Sequence, residues 1–103
     1  ISGACCLVKR EYIKKHGLYD PEYYMYFDDI DLGKRARLNG FECWQVAAAK
    51  VMHLEGGSFS RRTWLWIADS NLRYSRKFHS FPVTLTAMVL TGILKFLLKF
   101  KGR

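Results

Sequence analysis

The sequence has little cysteine, histidine or proline, and these scarcities exclude several classes of protein. Its 103 residues include three cysteines, three histidines and two prolines. Cys5 and Cys6 are adjacent and Cys43 is isolated, so the cysteines form neither a disulfide framework nor a CxxC metal motif. The histidines are far apart and include no HxxxH pair, which excludes a common zinc motif. We therefore expect the cysteines to be small core residues in a reducing compartment.

The amino-terminal residues also lack the features of a signal peptide, namely a basic region, an apolar core and a small-residue cleavage site. The chain starts at Ile1 instead of a methionine, and residues 1–8 have the apolar composition of a buried strand. We therefore expect the chain to begin within a fold, and the sequence gives no support for export.

Acidic residues are scarce in the second half of the chain. Residues 58–103 contain nine Lys or Arg residues but only Asp69 on the acidic side, whereas residues 1–57 contain eight of each sign. The net charge of +8 therefore comes from the second half. A neutral half with clustered carboxylates and a basic half with aromatic residues indicate one chemical and one electrostatic role. Because the basic residues share a helix with a long apolar run and form no recognised motif, we expect no nucleic-acid partner.

Patterns of apolar residues predict an α/β fold with short elements. Residues 3–8, 41–46 and 50–54 are short, rich in β-forming residues and typical of strands. Residues 10–16 and 31–39 have helical composition and precede Gly17 and Gly40, which are common helix stops.

Two further helices are predicted in the basic half. Ser60 is a suitable N-cap for a helix reaching about Phe78, whose apolar stripe contains Trp64, Ile67, Ala68 and Leu72. The last helix starts at residues 80–82 and is free of charge for 14 residues, from Phe81 to Leu94. This run is shorter than the roughly 20 residues that span a bilayer, and lysines follow it, so an interfacial helix fits better. Tilted insertion, or packing on another part of the protein, remains an alternative.

Three carboxylates lie within four positions at Asp28, Asp29 and Asp31, directly after an aromatic stretch. Like charges this close repel one another, but a helix start stabilises them through its exposed N–H groups and dipole. The simplest interpretation is that Asp28 or Asp29 caps the helix and that Asp31 lies in its first turn. The alternative is that one carboxylate accepts a proton from a substrate.

The order of several motifs resembles the C-terminal half of family 2 glycosyltransferases, and is closest to their rhamnosyltransferase-like branch. The similarity covers residues 1 to about 62. Its segments are Ser2-Gly3-Ala4, Lys9-Arg10-Glu11, Gly17-Leu18-Tyr19-Asp20, Tyr24-Met25-Tyr26-Phe27-Asp28-Asp29-Ile30-Asp31-Leu32 and Ala49-Lys50-Val51-Met52-His53.

This resemblance implies a fragment of a GT-A, Rossmann-like α/β domain. Residues 1–62 are expected to form the acceptor-side part of that domain, and residues 63–103 a basic, aromatic and membrane-associated helical extension. The family places its nucleotide-binding strands and Asp-x-Asp metal motif in an N-terminal half, which does not precede Ile1 here. We therefore expect the isolated chain to have low activity or none.

The resemblance also implies roles for single residues. In the family, the second acid of an acidic pair is the catalytic base, and Asp29 occupies that place. Asp28 replaces the usual Glu, which positions the acceptor, and Asp31 matches a mainly structural acid. His53 matches a histidine that holds a divalent metal, Mg²⁺ or Mn²⁺, on the donor diphosphate. Further substrate-binding positions are implied at Gly3, Ala4, Ser58 and Arg61.

Together these expectations describe part of an inverting glycosyltransferase. It would move a sugar from a nucleotide-sugar donor to a glycan or lipid-linked acceptor, in the cytoplasm at the inner face of the cell membrane. The alternative is a non-catalytic basic module that binds a membrane surface or a protein partner, with the clustered acids serving only the helix start.

Overall fold

A computed structural model describes residues 3–53 and 60–100 of the chain, and the regular secondary structure in these ranges is entirely helical. The predicted α/β fold, a Rossmann-like GT-A fragment, is therefore wrong. The helices follow one another in the order α1, Arg10–His16; α2, Asp28–Leu38; α3, Arg61–Phe78; and α4, Phe81–Phe100.

The three predicted strands are turns or irregular chain instead. Residues 3–8 and 41–46 form no strand, nor do residues 50–53, and Leu54 lies outside the described residues. A strand is stable only when its N–H and C=O groups pair with a neighbouring strand, and the described ranges contain no such ladder. Leu7, Trp44 and Val46 are accordingly exposed, whereas a buried strand would cover such side chains.

The three cysteines are not buried in the core, although the sequence predicted that they would be. Cys5 and Cys43 are exposed and Cys6 is half-buried, and all three are free thiols. The expectation that they are core residues is therefore wrong. It fails for the same reason as the strands, because Cys5 and Cys6 lie in irregular chain that packs against no sheet in the described ranges.

The two short helices form a small aromatic core. α1 occupies the predicted residues and ends at Gly17, whose φ of 73° is a conformation that glycine adopts easily. Tyr12 of α1 is buried and packs edge-on against Phe41, with ring centroids 5.1 Å apart. Leu32 of α2 is also buried. Arg35 of α2 donates to the Tyr12 hydroxyl at 3.3 Å and to the His16 carbonyl at 3.2 Å, and these bonds join α1 to α2, the helix that carries the clustered acids.

α2 begins at Asp28, three residues before the predicted start. Its N-cap is Phe27, which makes no side-chain capping bond, so the prediction that an aspartate caps this helix is wrong. Asp28, Asp29 and Asp31 instead all lie in the first turn, where the helix dipole stabilises negative charge.

Asp31 is fully buried and ties α2 to its surroundings. It forms an ion pair with Arg35 one turn later, and its Oδ1 lies 2.7 Å from Lys77 Nζ of α3. Arg35 also donates to the Leu18 carbonyl at 2.6 Å, and the Tyr23 hydroxyl donates to Asp31 at 3.4 Å. Since a buried charge needs partners, this network explains why Asp31 is inside the protein.

α3 contacts the chain that leads into α2. The helix starts after Ser60, the predicted N-cap, whose N–H donates to Thr63 Oγ1 at 3.0 Å. One face of α3 then meets residues 24–27 in three places. Trp66 packs on Tyr24, the Ser70 hydroxyl donates to the Met25 carbonyl at 2.9 Å, and Tyr74 packs on Phe27.

α3 and α4 form an antiparallel hairpin. The Thr84 hydroxyl donates to the Ser75 carbonyl at 3.1 Å, and the Thr91 hydroxyl donates to the Ala68 carbonyl at 3.3 Å. α4 has 20 residues, with a mean hydropathy of 1.8 over an 18-residue window, so by length and composition it could cross a membrane. Little of that window is buried in the protein.

Candidate functional site

An open pocket of about 570 Å³ lies at the start of α2. It is lined by turn residues 3–4, by residues 25–27 and the first turn of α2, by His53, and by Ile67 of α3. Most of the residues predicted to form the site line this pocket, although they are up to 50 positions apart in sequence. They are Gly3, Ala4, Asp28, Asp29 and His53.

The Asp29 carboxylate is oriented by two backbone donors. The Gly3 N–H donates to Oδ2 at 2.8 Å, and the Ile30 N–H donates to Oδ1 at 2.8 Å. A carboxylate can accept about four hydrogen bonds, so each oxygen retains a lone pair for a further donor. Asp29 therefore has the orientation and the remaining acceptor capacity that a general base requires.

The turn before α2 has a left-handed backbone conformation, and the first turn of α2 that follows it lines the pocket. Tyr26 and Phe27 have φ values of 66° and 64°, which non-glycine residues seldom adopt. Such a conformation costs on the order of 1–3 kcal/mol per residue and persists only when the surroundings hold it. Here α3 holds it, through the Ser70 bond to the Met25 carbonyl and the packing of Tyr74 on Phe27.

Tyr19 lies beside the same carboxylate. Its hydroxyl oxygen and Asp29 Oδ2 are each 3.7 Å from the position that a Cβ on Gly3 would occupy. Burial raises the pKa of the Tyr19 phenol above 10.0, and electrostatic interactions with Cys6, Asp28 and Asp29 add to this. The phenol therefore stays protonated at neutral pH, when it can donate a hydrogen bond to an anionic neighbour.

A metal site is not complete in the described part of the chain. Across residues 3–53 and 60–100, no group of three or more His, Cys, Asp or Glu side chains is arranged to hold an ion. Mg²⁺ and Mn²⁺ need several oxygen ligands, so His53 and its neighbours do not fit a resident metal by themselves. The role of His53 as a metal ligand stays a prediction, and no chemical step below depends on a metal.

Two predicted residues are not placed in the pocket. Arg61 is exposed at the first position of α3 and is not among the described residues that line the pocket. Ser58 lies outside the described residues. Their roles in substrate binding remain predictions.

Sequence reasoning missed several pocket residues. Met25, Tyr26, Phe27 and Ile30 line the pocket through the turn and the first helical turn, and nothing in their sequence indicates a positive φ. Ile67 was assigned to an apolar stripe on α3, a pattern that shows which face is covered but not what covers it. Helical spacing alone could not show that this face meets the aspartates.

Comparison with known proteins gives one kind of match. The chain is 38% identical over 61 residues to N-acetylglucosaminyl-diphospho-decaprenol L-rhamnosyltransferase of Mycobacterium tuberculosis, in both strain CDC 1551 and strain H37Rv. The matched segment is 59% of this chain but 20% of the relative, so the chain spans about a fifth of the length of the curated relatives it matches. The similarity supports a glycosyltransferase-like function at partial coverage.

No protein-family model matches the chain, and no solved structure gives a significant match.

Proposed function

We propose that this chain forms the part of an inverting glycosyltransferase in which an acceptor hydroxyl loses its proton to Asp29. The observation that carries the proposal is the pocket itself, where Asp29 is oriented by the Gly3 N–H and lies alongside Asp28 and His53. The partial similarity to a mycobacterial rhamnosyltransferase supports the same class of reaction.

In the proposed reaction, the acceptor hydroxyl attacks the anomeric carbon of a nucleotide sugar. The new C–O bond forms as the bond to the nucleoside diphosphate breaks, and the hydroxyl proton passes to Asp29. Its two backbone bonds prevent the carboxylate from turning away, which lowers the entropic cost of alignment. One displacement with one base inverts the anomeric configuration.

Asp28 and Tyr19 have supporting roles in this proposal. Asp28 borders the same pocket and is half-buried, so its carboxylate can accept a hydrogen bond from a second hydroxyl group of the acceptor. The protonated Tyr19 phenol, which lies near Gly3 and Asp29, is available to donate a hydrogen bond to an anionic group of a substrate. Because the relative's name refers to a diphospho-decaprenol acceptor, a lipid-linked glycan is the acceptor class we propose.

The test is transfer of sugar by the whole protein that contains this chain. A panel of nucleotide sugars is supplied with a lipid-linked N-acetylglucosamine acceptor, and the product is examined by NMR. We expect one donor to support transfer, with inversion at the anomeric carbon. Retention of configuration would contradict the single displacement, and absence of transfer from every donor would contradict the transferase assignment.

A further inference from the structure

The outer face of α4 is apolar and has no covering in the described part of the chain. Ten large apolar side chains of this helix are more than a third exposed, among them Leu90 at 60% and Phe96 at 62%. Contiguous apolar surface of this kind marks a site of interaction with another apolar body. Three small residues of α4, Thr84, Ala87 and Thr91, are buried on the opposite face, which packs against α3.

We infer that α4 lies along the surface of an anionic membrane, with its outer face in the lipid and its axis parallel to the bilayer. The inference does not depend on the transferase proposal. Two features of the hairpin support it, namely the charges of α3 and the distribution of basic residues.

The charges of α3 argue against a spanning arrangement. α4 is joined to α3 at both ends of the paired stretch. At one end Thr84 donates to the Ser75 carbonyl, and at the other Lys95 forms an ion pair with Asp69 at 2.6 Å. A spanning α4 would therefore draw Asp69 and the charged residues that follow it on α3 into the hydrocarbon, which is costly. An α4 that lies in the plane keeps α3 in water.

The basic residues favour an anionic surface over a protein partner. Residues 60–100 contain seven Lys or Arg residues and one acid, Asp69. Three of the seven form ion pairs within the chain, namely Arg73, Lys77 and Lys95, so the charge available to a surface is that of Arg61, Arg62, Arg76 and Lys99. Because the helices are antiparallel, exposed Arg61 and Arg62 lie toward the end of α4 that carries exposed Lys99. Apolar side chains with flanking cations are typical of helices that bind the interface between lipid headgroups and acyl chains.

The orientation places the candidate site near the membrane. Ile67 of α3 lines the pocket, while Ala68 on the next position contacts α4 through Thr91. One helix therefore separates the Asp29 pocket from the membrane-facing helix, a distance of about 10 Å between helix axes. In the proposed reaction, the lipid anchor of an acceptor would thus stay in the membrane while its sugar reaches the pocket.

Binding to vesicles of equal parts phosphatidylglycerol and phosphatidylcholine tests the inference. We expect the full chain to sediment with these vesicles, less at high salt and less with phosphatidylcholine alone. Leu90→Gln should lower the partition coefficient about tenfold, because it replaces an apolar side chain that would be buried in the lipid with a polar one. Leu97→Gln is a second variant, and glutamine keeps the helix in both. Leu38→Gln on α2, equally exposed at 64%, is the matched control and should bind normally.

Depth measurements test the orientation. Spin labels at Val83, Leu90 and Leu97, in a chain whose three cysteines are serine, should report the same shallow depth. A spanning helix would instead separate the outer two labels by about 21 Å along the bilayer normal, since each residue rises about 1.5 Å. That result would overturn the in-plane arrangement. Absence of vesicle binding, or self-association that Leu90→Gln abolishes without any vesicle binding, would overturn membrane docking.

Discussion

Asp29 is oriented by backbone donors, so its position depends on two chain segments that are 26 residues apart in sequence. The Gly3 N–H reaches one carboxylate oxygen and the N–H of Ile30 reaches the other. Side-chain donors would be lost by ordinary substitution, whereas these donors are lost only if the backbone moves or a proline removes the N–H.

Gly3 offers a matched pair of variants. Gly3→Pro removes the donor to Asp29, and we expect kcat of the whole enzyme to fall about tenfold, with a smaller effect on KM for the donor sugar. Gly3→Ala retains the N–H, and its Cβ would meet Asp29 Cβ at 3.5 Å, which is ordinary contact. Steady-state kinetics of both variants would check this. Equal kcat values for the two would show that the hydrogen bond does not position the base.

The sequence drew attention to Asp28 and Asp29 through their clustered charge, and the family pattern then gave roles to Asp29, Asp28 and His53. The structure brings Asp28, Asp29 and His53 to one pocket. Their roles remain predictions. No feature of the local sequence predicted the positive φ values of Tyr26 and Phe27. Contacts with α3 impose this conformation, and that helix lies more than 30 residues further along the chain.

At the scale of elements, the predicted helices are confirmed and the predicted strands are wrong. α1 was predicted to the residue, and α3 starts after Ser60 as expected. Helical hydrogen bonds join residues four positions apart, so the local sequence contains most of the information. Residues 41–46 have β-forming composition but pair with no strand in the described ranges, and composition cannot supply a partner.

The α3–α4 hairpin uses hydroxyl groups in its contact face. Thr91→Val removes the hydroxyl that donates to the Ala68 carbonyl and keeps the shape of the side chain, so we expect a loss of about 1 kcal/mol in the free energy of unfolding. Thr86→Val is the control, because that exposed hydroxyl donates to the Pro82 carbonyl within its own helix and not across the hairpin. Urea unfolding of both proteins measures the difference. The hairpin contact is unimportant if Thr91→Val proves as stable as the control.

Over the whole molecule, Lys77 joins the neutral first half, which carries the clustered carboxylates, to the basic second half. Its ammonium lies 2.6 Å from Asp20 and 2.7 Å from Asp31. Burial opposes the charge on Lys77, but its hydrogen bonds to these two carboxylates outweigh this and raise the pKa of Lys77. The predicted boundary at residue 62 is thus crossed by ion pairs, and α3 packs on residues 20–27 as well as on α4.

Because of the ion pair between Lys77 and Asp20, the free energy of unfolding depends on pH in the acidic range. The hydrogen bond from Lys77 lowers the pKa of Asp20 below 3.8, so the stability it contributes is present above pH 3.8 and is lost as the pH falls through the lowered value. We expect the urea midpoint to drop across this range and to drop less in Asp20→Asn. Glu22→Gln, which alters the exposed pair with Arg73, should leave the pH dependence unchanged. An unaltered pH profile in Asp20→Asn would rule out this role.

The most direct test of the account is the kcat of Asp29→Asn in the whole enzyme, with circular dichroism to confirm that the helices are retained. Asp69→Asn is the matched control, since it makes the same change at a half-exposed ion pair on α3. Loss of a general base should lower kcat roughly 100- to 10,000-fold in Asp29→Asn and leave the control near the unsubstituted rate. A folded Asp29→Asn enzyme with an unchanged kcat would contradict the assignment of Asp29 as the base.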